Sequence, residues 1–289
     1  MKRYLSFIVC FIILFSLPLT AFADIGPKPS VRITFEGVES GTEYYGTLLS
    51  EHKSTGPSSA WDGIEGHERH YNYSKEIWQT FVDYTDADGY YFLQEVWECT
   101  DTNQLNWTYY PPSPFKILLY FPSTDTYFVS DVYERYAFDS YYTVDLAENF
   151  TAEKLISAQK SYDFTWEIIS LVARIAATIL LEIAIAFIFG YREKKTLKFI
   201  AAVNILTQIA LNVGLNIVNY NSGSMAFTLS FILFEIVVFA VEALAYSLIL
   251  GKFSTKPANK GKSTAYAFAA NLASFAIGLW LSHIIPGIF

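Results

Sequence analysis

Four apolar stretches of membrane-spanning length fill the second half of the chain, and they constrain its fold more than any other feature. They cover about residues 166–190, 197–220, 226–250 and 264–287, each near or above the roughly 20 residues an α-helix needs to cross a hydrocarbon core. Positive charge gathers in two of the intervening segments, at Arg192, Lys194, Lys195 and Lys198 and again at Lys252, Lys256, Lys260 and Lys262. The turn Asn221-Ser222-Gly223-Ser224 between them carries none. Because cytoplasmic loops collect Lys and Arg, both basic loops are expected inside, with the region before the first span and the C-terminus outside.

The N-terminus leads to the same orientation independently. Lys2 and Arg3 precede an apolar run from Leu5 to Leu19, and Ala21-Phe22-Ala23 has the small-x-small pattern of a signal-peptidase site. The expected organisation is a signal peptide over 1–23, an extracellular domain over 24–150, a linker over 151–165 and a four-helix transmembrane domain over 166–289. The expected location is the cell membrane, multi-pass.

Charge separates the two halves. Residues 24–165 hold 23 Asp/Glu against 9 Lys/Arg, a formal −14. An acidic domain lacks the basic footprint that displaces counterions from nucleic acid, so nucleic acid is excluded as a partner. Of two cysteines, Cys10 lies in the signal and Cys99 is left alone, so the exported domain must fold on its core rather than on a disulfide framework.

That domain reads as mostly β. Val31–Val38, Tyr44–Leu49, Tyr90–Trp97, Lys116–Phe121, Tyr127–Val132 and Tyr141–Leu146 are rich in β-formers and separated by turn residues. Short strands at this spacing suggest a sandwich, with an Ig-like arrangement as one option. Residues 74–82 form a short helix capped by Ser74. The aromatic stock suits both a β core and a recognition surface. Tyr109-Tyr110-Pro111-Pro112-Ser113-Pro114 reads as loop or edge punctuation, with a recognition loop as the sharper alternative.

Two patterns touch on metal chemistry. Asp86-Ala87-Asp88-Gly89 followed by Glu95 fits part of an EF-hand loop, but Tyr84 stands where the first carboxylate belongs and the flanks read as strand. An Asp-Gly hairpin turn explains it better. His52, His67 and His70 lie near Glu65 and Glu68 without a zinc-ligand spacing. No metal, cofactor or catalytic residue is assigned.

The spans carry polar residues at helical intervals. Arg174, Thr178 and Glu182 occupy the first, Asn204, Gln208, Asn212 and Asn216 the second, Glu235, Glu242 and Tyr246 the third, and Asn271, Ser274 and Gly278 the fourth. Each intramembrane charge costs roughly 2.5–3.5 kcal/mol on insertion scales, so these residues should face the bundle interior. With a rise of about 1.5 Å per residue, Arg174, Asn212 and Glu235 share an outer depth, and Glu182, Asn204, Glu242 and Asn271 an inner one. An Arg174–Glu235 ion pair is expected in the outer layer. In the inner layer, Glu182 and Glu242 cannot both be charged without a partner, so either one holds a proton or a cation lies between them. Packing, ion or proton conduction, and an intramembrane ligand site all remain open readings of that layer.

Taken together, Arg174-x3-Thr178-x3-Glu182, Asn204-x2-Thr207-Gln208, Glu235-x2-Val238-x3-Glu242-x3-Tyr246 and Ala270-Asn271-x2-Ser274-Phe275-x2-Gly278 resemble an uncharacterised family of bacterial polytopic membrane proteins. The segment Asp24-Ile25-Gly26-Pro27-Lys28-Pro29-Ser30 is similar to the mature start of exported Gram-positive proteins of this group. The resemblance implies an exported N-terminal domain on a four-helix membrane module and brings no activity with it.

Two functional readings follow. One is a binding or sensing ectodomain that meets an extracellular protein or a cell-wall ligand while the helices sit in the lipid bilayer. The alternative is a small proton or cation transporter or channel subunit using the Glu/Asn layer. An enzyme is disfavoured, because the spans contain neither HExxH nor a Ser/His/Asp order, and His283 near Pro286 reads as interfacial.

Overall fold

The computed structural model describes residues 26–53, 73–149, 155–253 and 260–282. The signal segment, His67, His70, Glu65, Glu68 and His283 lie outside these. The described chain is a β-rich N-terminal region of two sheets followed by helices.

The first sheet has β1 (Ser30–Glu36) at its centre, parallel to β8 (Asp139–Asp145) and antiparallel to β5 (Gln104–Trp107), with β10 (Ala158–Lys160) beyond β8. The second is built on β2 (Tyr45–Ser50), β6 (Phe115–Phe121) and β7 (Thr126–Ser130), which are antiparallel neighbours in that order. β3 (Tyr91–Phe92), β4 (Trp97–Glu98) and β9 (Leu155–Ile156) complete it at its edges. The parallel pairs β1–β8 and β7–β9 depart from the antiparallel sheets of an Ig-like plan.

The sheets pack face to face. Val31, Ile33 and Phe35 of β1, Ile117, Leu119 and Phe121 of β6, and Tyr142 and Val144 of β8 form one core. The burial of β1 and β8 alternates along the strand, as it must for a sheet with one solvated face. In contrast, β2 and β6 are buried at every position. Their outer face is covered by α1 (Lys75–Asp83), whose Phe81 packs with Leu49, Leu118 and Tyr120 and whose Ile77 adds to the same cluster. Ser74 caps α1, its Oγ accepting from the Ile77 amide.

Two expectations need correction. Tyr90–Trp97 is not one strand, because Gln94 takes a left-handed φ of 66° that no ladder can pass through; only its ends pair. Residues 155–160, expected in the linker, supply β9 and β10, and the short helix α2 (Leu146–Asn149) precedes them.

Cys99 is fully buried and free, its thiol facing the Gln104 carbonyl at 3.4 Å. Burial, reinforced by the Glu98 charge, pushes the thiol well above its ordinary pKa. It should therefore resist alkylation in the native protein at pH 8 and react stoichiometrically once the domain is unfolded, which mass-shift labelling would read. Modification of the folded protein at the rate of a free thiol would contradict this burial.

Three helices follow, namely α3 (Thr165–Ile188), α4 (Lys194–Phe253) and α5 (Lys260–Ser282). α3 and α4 are long and apolar enough to cross a membrane. The 60 residues of α4 are not one rod. Asn204 hydrogen-bonds Tyr246 at 2.9 Å although 42 positions separate them, a distance of about 63 Å along a straight helix. The chain reverses at Gly223, where φ is 79° and ψ 178°. α4 is thus a hairpin with arms over 194–222 and 224–253; both arms meet α3, and the second packs with α5.

The β region rests on the tip of that hairpin. The Phe138 amide donates to the Tyr220 carbonyl at 2.7 Å, and the Tyr220 ring meets Tyr136, Tyr162 and Phe164. Any Cβ at Gly223 would stand 2.5 Å from the Phe138 ring.

Candidate functional site

The packed helices enclose a polar layer. Glu182 on α3, Asn204 on the first arm of α4, Glu242 and Tyr246 on the second arm and Tyr266 on α5 are each 1 % exposed or less. One Glu182 oxygen, Oε2, accepts from Asn204 Nδ2 at 2.6 Å, Tyr246 Oη at 3.2 Å and Tyr266 Oη at 3.3 Å. One carboxylate is therefore addressed by all the other rods. Glu242 accepts from Thr207 Oγ1 at 2.6 Å and from Asn271 Nδ2 at 2.8 Å. Among the described residues, no donor is aimed at the buried Glu182 Oε1 and Asn204 Oδ1.

Local sequence explains the closeness. Ala267 and Ala270 are fully buried and let α5 approach, as small residues do at helix contacts within lipid. Tyr191, Tyr246 and Tyr266 close an aromatic wall around the Glu182 side.

The outer layer differs from its expected form. Among the described residues no salt bridge joins Arg174 to Glu235. Arg174 is buried, donates from Nη1 to Asn212 Oδ1 at 3.2 Å and lies over the Phe231 ring at 5.9 Å. Asn212 in turn donates to the Gln208 carbonyl at 2.8 Å. Glu235 instead lines a lateral groove of about 200 Å³ with Asn271, Ile232, Ile236 and Phe268. The shift is geometric, because a shared depth fixes height along a bundle and not angle around it. Thr178 is half-buried on the same face of α3, and among the described residues no hydrogen bond ties it to the layer.

Tyr266 and Thr207 also belong to the layer, although polar spacing within the spans does not single them out. A tyrosine near the inner end of a span reads as an interfacial anchor, so only packing reveals that the Tyr266 hydroxyl points inward. Thr207 had a legible signal, lying three residues after Asn204 on the same helical face.

In the β region, the calcium-like spacing does gather carboxylates around a cation, but the cation belongs to the chain. Lys116 Nζ lies 3.1 Å from each Asp86 oxygen, also pairs with Asp88, and sits over the Tyr90 ring at 5.2 Å. Asp86 Oδ2 also accepts from the Asp88 and Tyr90 amides, which makes the turn. The ammonium occupies the place a metal would need. Among the described residues no group of three or more His, Cys, Asp or Glu is arranged to hold a metal, and His52 is exposed at the end of β2.

Comparison with protein-family models, with curated proteins and with solved structures finds no match to this chain.

Proposed function

We propose that this chain is a multi-pass membrane protein of the bacterial cell envelope in which an exported β-domain binds or senses and a four-helix transmembrane module receives that state. The observation that carries the reading is the clamp between Phe138 and the hairpin tip at Tyr220–Gly223. A tethered binding module needs no such seat. Here the β-domain grips the reversal between two helices whose interiors hold the Glu182–Glu242 layer. The tip also lies at the opposite end of the hairpin from the basic segments 192–198 and 252–262, which supports the orientation drawn from the positive-inside rule. Exposed Leu180, Ile188, Leu206 and Leu244 turn apolar surface outward, as lipid-facing helices do. The family resemblance and the signal peptide over 1–23 belong to the same reading. The partner proposed is an extracellular protein or an envelope component.

Coupling is the testable part. Gly223→Val adds a side chain in a left-handed conformation against the Phe138 ring and should unseat the domain. Hydrogen exchange on the full-length protein in nanodiscs should then speed up at least tenfold in residues 204–212 and 238–246, with strands β1 and β6 unaffected. Unchanged helical exchange would mean that the clamp carries no signal.

A second reading, proton or cation movement through the layer, is favoured by two carboxyl groups, Glu182 and Glu242, in one buried layer and by the buried acceptors Glu182 Oε1 and Asn204 Oδ1. Reconstituted full-length protein would have to show a flux that Glu182→Gln and Glu242→Gln abolish. Background flux in every case rejects this reading.

A further inference from the structure

A cavity of about 430 Å³ opens between the outer end of α3 and the first arm of α4, within the size range of small-molecule sites. Among the described residues, the one charged side chain that lines it is Glu167, in the first turn of α3. Tyr162 Oη donates to Glu167 Oε1 at 2.7 Å. The buried Glu167 Oε2 has no donor among the described residues. That is a costly state for a carboxylate oxygen unless a ligand supplies the donor. Beside an exported region of formal charge −14, a site whose only charge is negative selects a cation.

The outer end of the cavity is aromatic. Phe164 and Tyr220 line it, and with Tyr162 they form a cluster whose ring centroids lie 4.6 to 6.4 Å apart. Ring faces attract ammonium groups electrostatically, which a nearby carboxylate reinforces. Toward the bundle centre the walls turn apolar, with Ile168 and Leu171 on α3 and Val213 and Ile217 on α4. From Tyr220 to Val213 the helix descends about 10 Å, the length of an extended alkyl chain of roughly eight carbons. A phospholipid headgroup would bring a phosphate that no lining cation meets. A plain hydrocarbon would leave Glu167 Oε2 unanswered.

We propose that this cavity binds one free primary alkylammonium, its N–H group on Glu167 Oε2 beside the Phe164 and Tyr220 rings and its chain along Val213 and Ile217. The site lies at the joint between the β-domain and the helices. Tyr162, which bonds Glu167, packs on Tyr141 of β8 at 5.6 Å, and the Tyr220 carbonyl accepts from the Phe138 amide. An ammonium on Glu167 therefore acts on the same contacts that seat the β-domain on the hairpin. Calling this ligand the signal rests on the sensing reading above, whereas its binding stands on the cavity itself.

Calorimetric titration of the full-length protein in phosphatidylcholine nanodiscs tests this, with octylammonium and octanol as probes and protein-free nanodiscs subtracted for partitioning. Octylammonium should bind one per protein and about tenfold or more tighter than octanol, as a hydrogen bond to a charged group implies. Glu167→Gln keeps an acceptor for Tyr162 but should erase that preference and leave octanol unchanged. Phe164→Ala should weaken octylammonium about fivefold through the lost ring face. Ile217→Trp, which fills the apolar part, should weaken both probes alike. None of the three side chains is fully buried, and an unchanged circular dichroism spectrum would confirm that the variants fold. Equal affinity for the two probes, or a preference that survives Glu167→Gln, overturns the proposal and leaves Oε2 to a bound water. Loss of octylammonium binding in phosphatidylethanolamine nanodiscs assigns the cavity to a lipid headgroup and overturns the free-ligand assignment. Failure of the sensing reading would look different, as octylammonium binding with no change in hydrogen exchange over residues 204–212 and 238–246.

Discussion

Replacing Lys116 by alanine should cost the β-domain about 3–5 kcal/mol, the usual range for removing one partner of a buried ion pair. The ammonium and the Asp86 carboxylate are both buried, and Asp86 is committed to the turn through the Asp88 and Tyr90 amides. Without Lys116 its charge would stay inside, uncompensated. Denaturant unfolding of the full-length protein, followed by the near-ultraviolet signal of the domain's aromatics, is the measurement. Lys116→Ala/Asp86→Asn should recover part of the loss, because the orphaned charge is then gone. An effect under 1 kcal/mol for Lys116→Ala would mean that water reaches the site. Burial works against the ammonium, but the hydrogen bonds it donates to Asp88 and Asp86 outweigh it and raise its pKa above the ordinary 10.5. A raised folded-state pKa contributes stability that is complete below the unfolded value and lost as pH climbs through the folded one. The contribution is therefore intact at neutral pH and should fade only in strongly alkaline solution.

Within the helices, Glu182→Ala and Glu182→Gln should behave very differently. Alanine leaves Asn204, Tyr246 and Tyr266 without their common acceptor. Interhelical hydrogen bonds in membranes average about 0.6 and reach about 1.7 kcal/mol, so three of them put the loss at roughly 2–5 kcal/mol. Glutamine keeps one acceptor oxygen in nearly the same volume and places no charge inside the layer, so its cost should stay within about 1 kcal/mol. Thermal unfolding in nanodiscs, read by tyrosine and tryptophan fluorescence, would separate the two. Equal losses would show that volume rather than hydrogen bonding is what Glu182 supplies. The comparison bears on function too, since a structural lock tolerates glutamine and a proton-exchanging site does not.

Both sites were partly legible in the chain. Polar residues at helical spacing can be read directly, because an apolar helix tolerates few of them and 3.6-residue periodicity fixes their face. Asp86-Ala87-Asp88-Gly89 likewise reads as a turn, which the Asp86 hydrogen bonds to the Asp88 and Gly89 amides form. The pairing was not legible in either case. Lys116 is 28 positions beyond Asp88 and reaches it only because β6 passes under that turn. Arg174 meets Asn212 rather than Glu235 because the angular order of helices around a bundle is a property of packing, which no single helix encodes.

By itself the sequence determined where the helices and the five longest strands form and which faces are apolar, since these depend on neighbours a few positions away. Tertiary structure alone decided the mixed sheets, the reversal at Gly223 as a seat for Phe138, the use of Lys116 as an internal cation, and the convergence of donors from three elements on Glu182. Each of these joins residues far apart along the chain, and their meeting is set by how whole elements pack.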